Sequence, residues 1–188
     1  MSVFQAIVLG IVQGLTEFLP ISSSAHLTLI PWALKWPEPG LLFDTVLHLG
    51  TLVAIVAYFW QDIRRILRAW FGSLRTRCID NPDAHIAWLL IHGTIPAVLA
   101  GILLEDLVEQ LLSTPSIVAA ILILTGVLLF VSDRLGRKNR SLEQLKVGDA
   151  IAIGVAQACA ILPGLSRSGA TMAGGLVRGL ARQDATRF

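Results

Sequence analysis

Leu19-Pro20-Ile21-Ser22-Ser23-Ser24 and Leu162-Pro163-Gly164-Leu165-Ser166-Arg167-Ser168 set a proline and then hydroxyl side chains in the middle of long apolar runs. Proline removes a backbone donor and clashes with the preceding helical turn, while serine favours caps and turns, so each run breaks near its centre. The runs extend from about residue 3 to 34 and from about 149 to 180. Laid over each other at an offset of 144, the stretches from Ala6 and Ala150 agree without gaps at Ala6/Ala150, Ile7/Ile151, Gly10/Gly154, Gln13/Gln157, Ser22/Ser166 and Ser24/Ser168. The register predicts an internal repeat, each copy carrying one broken helix.

Between the copies stand three unbroken apolar segments, residues 41–60, 86–104 and 115–132. A hydrocarbon core of about 30 Å needs about 20 helical residues, so each is a transmembrane helix by length. The first link carries Arg64, Arg65, Arg68, Arg75 and Arg77; the second carries Glu105, Asp106 and Glu109 with no Lys or Arg; after the third come Arg134, Arg137, Lys138, Arg140 and Lys146. Basic, acidic, basic reads as cytoplasm, outside, cytoplasm. Three crossings make the two copies enter the bilayer from opposite faces, which is an inverted repeat. Each copy, 1–34 and 149–180, is expected to be a re-entrant helical hairpin, because irregular backbone at membrane depth is tolerated only inside protein or beside water. Pro-kinked spanning helices are the alternative. The second hairpin would return Arg178, Arg182 and Arg187 to the cytoplasm, and the N-terminal one would open outward.

Composition agrees. The chain has 188 residues, 54% hydrophobic and 15% charged, with a mean hydropathy of +0.70, which does not suit a soluble domain. The expected fold class is an all-α, multi-pass membrane protein, a single transmembrane domain over residues 1–188, with the hairpins meeting near the bilayer midplane. A net charge of +2 gives no general attraction to nucleic acid. Cys78 and Cys159 form no metal-ligand or disulfide spacing. The start lacks a basic n-region, so a removable signal peptide is not expected.

Glu17 is the only carboxylate between Met1 and Leu34, and Arg167 the only charge between Ala150 and Val177. A charge at the centre of a membrane helix costs about 2.5–3.5 kcal/mol on insertion scales, so each needs a partner, water or a ligand. Gln13 and Glu17 are i and i+4 and share a face. Ser22, Ser23 and Ser24 are cap types that can open the return helix and aim free N–H groups at an anion, with His26 in its first turn. Across the repeat, Ser166 and Ser168 can cap, Arg167 offers a planar fork for phosphate oxygens, and Thr171 lies one turn on. A Glu17–Arg167 salt bridge joining the copies is the purely structural alternative. His48, Asp44 and His92 lie in the spans, Asp44 near the outer end, and His85 reads as a loop residue.

At these residues the sequence resembles the bacterial undecaprenyl-diphosphate phosphatases of the bacitracin-resistance type. Gln13-Gly14-Leu15-Thr16-Glu17-Phe18-Leu19-Pro20-Ile21-Ser22-Ser23-Ser24-Ala25-His26 looks like that family's first signature. Pro163-Gly164-Leu165-Ser166-Arg167-Ser168-Gly169-Ala170-Thr171 looks like its second, and Phe43-Asp44 with His48-Leu49-Gly50-Thr51-Leu52-Val53-Ala54 also follows the pattern. The resemblance implies an inner-membrane enzyme, its active site opening to the outer (periplasmic) side. It would remove the terminal phosphate of undecaprenyl diphosphate, regenerating the carrier of peptidoglycan synthesis and conferring bacitracin resistance. It also implies a divalent cation, Mg²⁺ or Ca²⁺, with Glu17 and Gln13 as its ligands, although some members carry Glu at the Gln13 position. Glu17, Ser23, His26 and Arg167 would be catalytic: Ser23 the nucleophile activated by His26, or His26 attacking phosphorus itself, and Glu17 binding the cation or acting as base. Ser22, Ser24, Ser166, Ser168 and Thr171 would hold phosphate oxygens. Partners would be the lipid substrate and the bilayer, with no nucleic acid and room for a homo-oligomer.

Family members continue into further hydrophobic spans where this chain has Gly179 to Phe188, so a C-terminally truncated member is expected. A phosphate-lipid transporter or flippase would want a similar pocket without a nucleophile or base. Lipid phosphatases of the acid-phosphatase type expect a lysine followed some residues later by Arg-Pro, and none of Lys35, Lys138 and Lys146 precedes one.

Overall fold

The computed structural model describes residues 1–104, 114–137 and 139–188, and every regular element among them is helical. The acidic link Glu105, Asp106 and Glu109, and the basic Lys138, lie outside the described residues. We number the helices α1 Val3–Phe18, α2 Ser23–Leu34, α3 Leu41–Tyr58, α4 Trp60–Thr76, α5 Pro82–Leu103, α6 Pro115–Leu135, α7 Val147–Cys159, α8 Arg167–Val177 and α9 Arg182–Arg187, with a 3-10 turn at Leu142–Gln144.

Local chemistry explains the boundaries. Ser2 opens α1 through a capping box: its hydroxyl accepts from the Gln5 backbone N–H at 3.2 Å and the Gln5 side chain accepts from the Ser2 N–H at 2.7 Å. α1 stops at Phe18, two residues before Pro20. Asn81 caps α5 by accepting from the Asp83 N–H at 2.8 Å, with Pro82 at the first helical position, where no donor is lost.

α3, α5 and α6, of 18, 22 and 21 residues, are long and apolar enough to cross a membrane. At 1.5 Å per residue they reach about 27–33 Å, the thickness of a hydrocarbon core. Exposure runs opposite to a soluble protein: Leu41 and Leu42 are 85% and 80% exposed, while Gln13 and Thr125 are 1% and 2% exposed. Lipid makes apolar exposure costless and favours small polar residues between helices. The chain is a multi-pass membrane protein.

The region expected as a link, residues 61–85, is corrected to an amphipathic helix, α4, packed on α5, and His85 stands in the first turn of α5 rather than in a loop. Ile63, Ile66, Leu67, Trp70 and Leu74 recur at helical spacing there, but the arginines between them prevent any continuous apolar run.

α7 lies against α5, α8 against both α6 and α7, α2 against α1 and α6, and α3 against α1. Leu89, Ala150, Ile153, Leu176, Leu180 and Ala185 form the buried apolar cluster. α5 and α7 touch where Gly154 faces Gly93: a Cβ on Gly154 would overlap the Gly93 carbonyl, whereas one on its repeat mate Gly10 would meet only Leu47 Cδ2 at 3.8 Å. We therefore expect Gly154→Ala to lower the thermal midpoint in detergent, since overpacking costs about 1–3 kcal/mol. Gly10→Ala should leave it unchanged or raise it, because alanine gains about 0.5–1 kcal/mol over glycine within a helix. Equal midpoints for the two variants would contradict the close approach.

At the other end of α7, the buried Asp149 accepts from Arg140 Nη2 at 2.7 Å and from Arg178 Nε at 2.7 Å. Arg182 forks onto Asp133 with bonds of 2.6 and 2.5 Å. These contacts tie the chain after α6 to the start of α7 and to both ends of the α8–α9 connection. Asp149→Asn keeps the shape but removes the charge that two guanidiniums share. We expect it to loosen this end, seen as a lowered midpoint and faster proteolysis at residues 139–146, while Gln157→Ala, outside the cluster, does neither.

Candidate active site

The first break is built by α1, α2 and α3 together. Glu17 projects from the last turn of α1, one turn beyond Gln13, whose Nε2 donates to Glu17 Oε2 at 3.1 Å. Pro20 stops α1, and Ser23 begins α2, returning its hydroxyl toward that carboxylate: Ser23 Oγ donates to Glu17 Oε2 at 2.6 Å. No hydrogen bond joins Ser23 to His26 among the described residues. His26 Nδ1 instead lies 2.8 Å from the Ser22 carbonyl oxygen. A carbonyl can only accept, so Nδ1 is the donor of this bond.

α3 supplies two residues whose part in this cluster the sequence did not reveal. Thr51 Oγ1 accepts from Gln13 Nε2 at 3.4 Å and donates to the His48 carbonyl at 2.9 Å, while His48 Nε2 stands 3.9 Å from Glu17 Oε2. Their i, i+3 spacing put them on one face of α3, but only the docking of α3 on α1 chooses which face.

Ser22 has φ +64°, a value that side chains other than glycine rarely adopt. Such backbone costs about 1–3 kcal/mol and persists where the surroundings over-determine it, commonly at functional sites. Ser22 occupies the cap position of α2 without a side-chain capping bond. Its hydroxyl lies 3.3 Å from that of Ser24, both free to turn toward a ligand.

The second break repeats part of this chemistry. Ser166 Oγ lies 3.0 Å from Ser168 Oγ, so Ser22/Ser24 and Ser166/Ser168, 144 positions apart, make the same kind of contact. Ser166 also caps α8, accepting from the Gly169 N–H at 3.1 Å. Thr171 Oγ1 turns back to the carbonyls of Arg167 and Ser168, at 3.1 and 3.0 Å. α6 holds the break through Thr125, whose hydroxyl donates to the Gly164 carbonyl at 3.0 Å.

The two breaks touch. A Cβ on Gly169 would come within 3.3 Å of the Pro20 carbonyl oxygen. Glu17 and Arg167, however, form no ion pair, and the exposed Arg167 guanidinium has no partner among the described residues. The salt bridge that would have given these charges a purely structural role is absent. One carboxylate bonded to a hydroxyl stands at the first break and one unpaired guanidinium at the second.

Comparison with known proteins decides the lineage. Residues 6–188 match the family described as bacitracin resistance protein BacA. The chain belongs to this family. It is 50% identical over 188 residues to an undecaprenyl-diphosphatase of Moorella thermoacetica, covering 100% of this chain and 70% of the relative. The values are the same for a protein of that name from Desulforudis audaxviator. An undecaprenyl-diphosphatase of Thermomicrobium roseum is 47% identical over 196 residues, again covering 100% and 70%. The span matched to the BacA family takes in both breaks and the α3 face bearing His48 and Thr51.

The residues of the first break can be tested against the divalent cation that the resemblance implies. Gln13 Oε1 is buried and has no hydrogen-bond partner, although its own Nε2 is used twice. An oxygen acceptor without a donor, beside a carboxylate, is what a hard cation takes. No cluster of three or more His, Cys, Asp or Glu residues able to hold a metal exists among the described residues. The donor set fits a cation held by few protein oxygens, with phosphate and water completing its shell, as Mg²⁺ commonly is.

Proposed function

We infer that this chain hydrolyses undecaprenyl diphosphate to undecaprenyl phosphate and orthophosphate, recycling the lipid carrier of cell-wall synthesis, and that Ser23 performs the attack with Glu17 as its base. The observation that carries the residue assignment is the 2.6 Å hydrogen bond from Ser23 Oγ to Glu17 Oε2. A hydroxyl within reach of a base is the arrangement an activated oxygen nucleophile requires.

The Ser23 oxygen attacks the terminal phosphorus while its proton passes to Glu17. The bond to the bridging oxygen breaks, the proton passing from Glu17 to the departing undecaprenyl phosphate and leaving a phosphoserine beside an ionised Glu17. Water then gives a proton to Glu17 as it attacks that phosphorus, the bond from phosphorus to the Ser23 oxygen breaks, and the proton passes on to that oxygen as orthophosphate leaves. Arg167 neutralises charge on the transferred phosphoryl group, and Ser22, Ser24, Ser166, Ser168 and Thr171 orient its oxygens. Gln13 and Glu17 would hold the cation, which supplies further neutralisation of the diphosphate when bound. His26, held through Nδ1 by the Ser22 carbonyl, orients the incoming water. A transporter would need the phosphate contacts but not a serine hydroxyl bonded to a carboxylate.

The two breaks act as re-entrant hairpins of an inverted repeat, with the site facing the outer side of the bacterial inner membrane and the arginine-rich ends facing the cytoplasm. The deciding experiment is orthophosphate release from a short-chain prenyl diphosphate by the purified protein, with and without chelator. Glu17→Gln should lower kcat by about 10²–10⁴, the usual worth of a general base, with much smaller change in KM. A KM effect alone would assign Glu17 to binding instead.

A further inference from the structure

The cleft between α4 and α5 is lined by no residue of either break and has no place in the hydrolysis. It is an open cleft of about 670 Å³, lined by Arg64, Arg65 and Arg68 of α4 together with Thr76, Asn81 and Asp83. That volume is typical of a small-ligand site. Arg65 is already engaged, by Asp62 at 3.0 Å and Asp83 at 3.1 Å. Arg64 and Arg68 are different. They stand i and i+4 on α4, are exposed, and have no carboxylate partner among the described residues. Asp80 also borders the cleft and forms no ion pair with Arg64 or Arg68 among the described residues.

A second observation specifies the kind of anion. Alongside the arginine face, α4 presents a stripe of Trp60, Leu67, Phe71 and Leu74, between 46% and 61% exposed. α4 thus has three faces: one on α5, one apolar and uncovered, one cationic and uncovered. A helix with adjoining apolar and arginine faces lies in the plane of a membrane interface, its apolar side in the acyl boundary and its cations among the head groups. Trp70 and Trp88 pack edge to face at 6.2 Å at the α4–α5 contact, and the Trp88 Nε1–H donates to Ser73 Oγ at 3.1 Å. Tryptophan is enriched at that same depth. A free anion would answer the arginines but not the stripe; an anionic amphiphile answers both.

We propose that the α4–α5 cleft is a binding site for an anionic glycerophospholipid of the leaflet on the arginine-rich side, its phosphate held by Arg64 and Arg68 and its acyl chains lying along Leu67, Phe71 and Leu74. The site fixes α4 at the interface and sets the depth of α3 and α5, which it joins. Arginine suits the task because its planar fork can meet two phosphate oxygens at once.

The test is lipid retention. The purified protein is equilibrated in mixed micelles of phosphatidylglycerol and phosphatidylcholine, washed, and its bound lipid quantified, for the parent, Arg64→Gln/Arg68→Gln and Arg134→Gln/Arg137→Gln. The last pair removes the same charge outside the cleft. Each arginine near an anionic lipid surface is worth roughly fivefold, so the cleft variant should lose phosphatidylglycerol preference by about 25-fold while the control keeps it. Equal loss in both variants, or no preference in the parent, overturns the proposal. Should the cleft variant fail to fold, the parent decides: tryptophan quenching by brominated phosphatidylglycerol should exceed that by brominated phosphatidylcholine and survive millimolar inorganic phosphate. Displacement by phosphate alone would show a site for the free anion, not for lipid.

Discussion

Ser23→Ala is expected to abolish orthophosphate release, by at least about 10³ in kcat, while leaving lipid binding measurable; removing a nucleophile that works as a unit with its base forfeits nearly all of the chemical acceleration. The size follows from the geometry. Ser23 is the hydroxyl bonded to Glu17, and the neighbouring serines are engaged with each other. Ser24→Ala removes a phosphate contact and should cost far less, on the order of tenfold, about one charge-assisted hydrogen bond. The rival scheme, attack by His26, makes an opposite forecast. Ser23→Ala would then retain turnover, and acid quenching during turnover would destroy the phosphoenzyme, since phosphohistidine is acid-labile and phosphoserine is not. Acid-stable label on the parent and none on Ser23→Ala is the expected pattern. Label that survives in Ser23→Ala and is lost in His26→Ala would reverse the roles.

Much of this site could be read from the chain because its strongest signals are local. A proline within an apolar run breaks a helix whatever surrounds it, so the interruptions at Pro20 and Pro163 needed no tertiary information. Gln13 and Glu17 share a face by helical spacing alone. The pairing of Ser23 with Glu17 rather than His26 was not legible, because it depends on the conformation of three residues around the positive φ of Ser22. The same holds for Thr51 and His48, which reach Gln13 and Glu17 only through the rotation of α3 against α1. α4 is hidden for another reason. A continuous apolar run marks a helix that lipid surrounds on all sides, and a helix wetted along one face has none. Asp149 escaped notice because both its guanidinium partners, Arg140 and Arg178, are brought to it by chain segments that no local pattern connects.

Arg167 should be the second most sensitive position, and its conservative variant is the informative one. Its guanidinium is unpaired among the described residues and sits on the break that touches Pro20 through Gly169. A cation without a protein counter-charge is left to water or to a ligand anion. Were Arg167 structural, either removal or replacement by lysine would register first as lost stability. Were it there for the phosphoryl group, Arg167→Lys would keep the fold and the charge but lose the two-pronged grip. An arginine supplied to a phosphoryl transition state is worth about 10³–10⁵ in kcat. We therefore expect Arg167→Ala to fall in that range and Arg167→Lys to recover only a small part of it, with thermal midpoints near the parent in both. The comparison with Asp149→Asn sharpens the reading, because that variant should lower the midpoint while kcat of the folded fraction changes little. If Arg167→Ala instead loses stability and Arg167→Lys restores full turnover, the guanidinium is a point charge holding the breaks together, and the phosphate must be gripped by the serines and the helix N-termini alone.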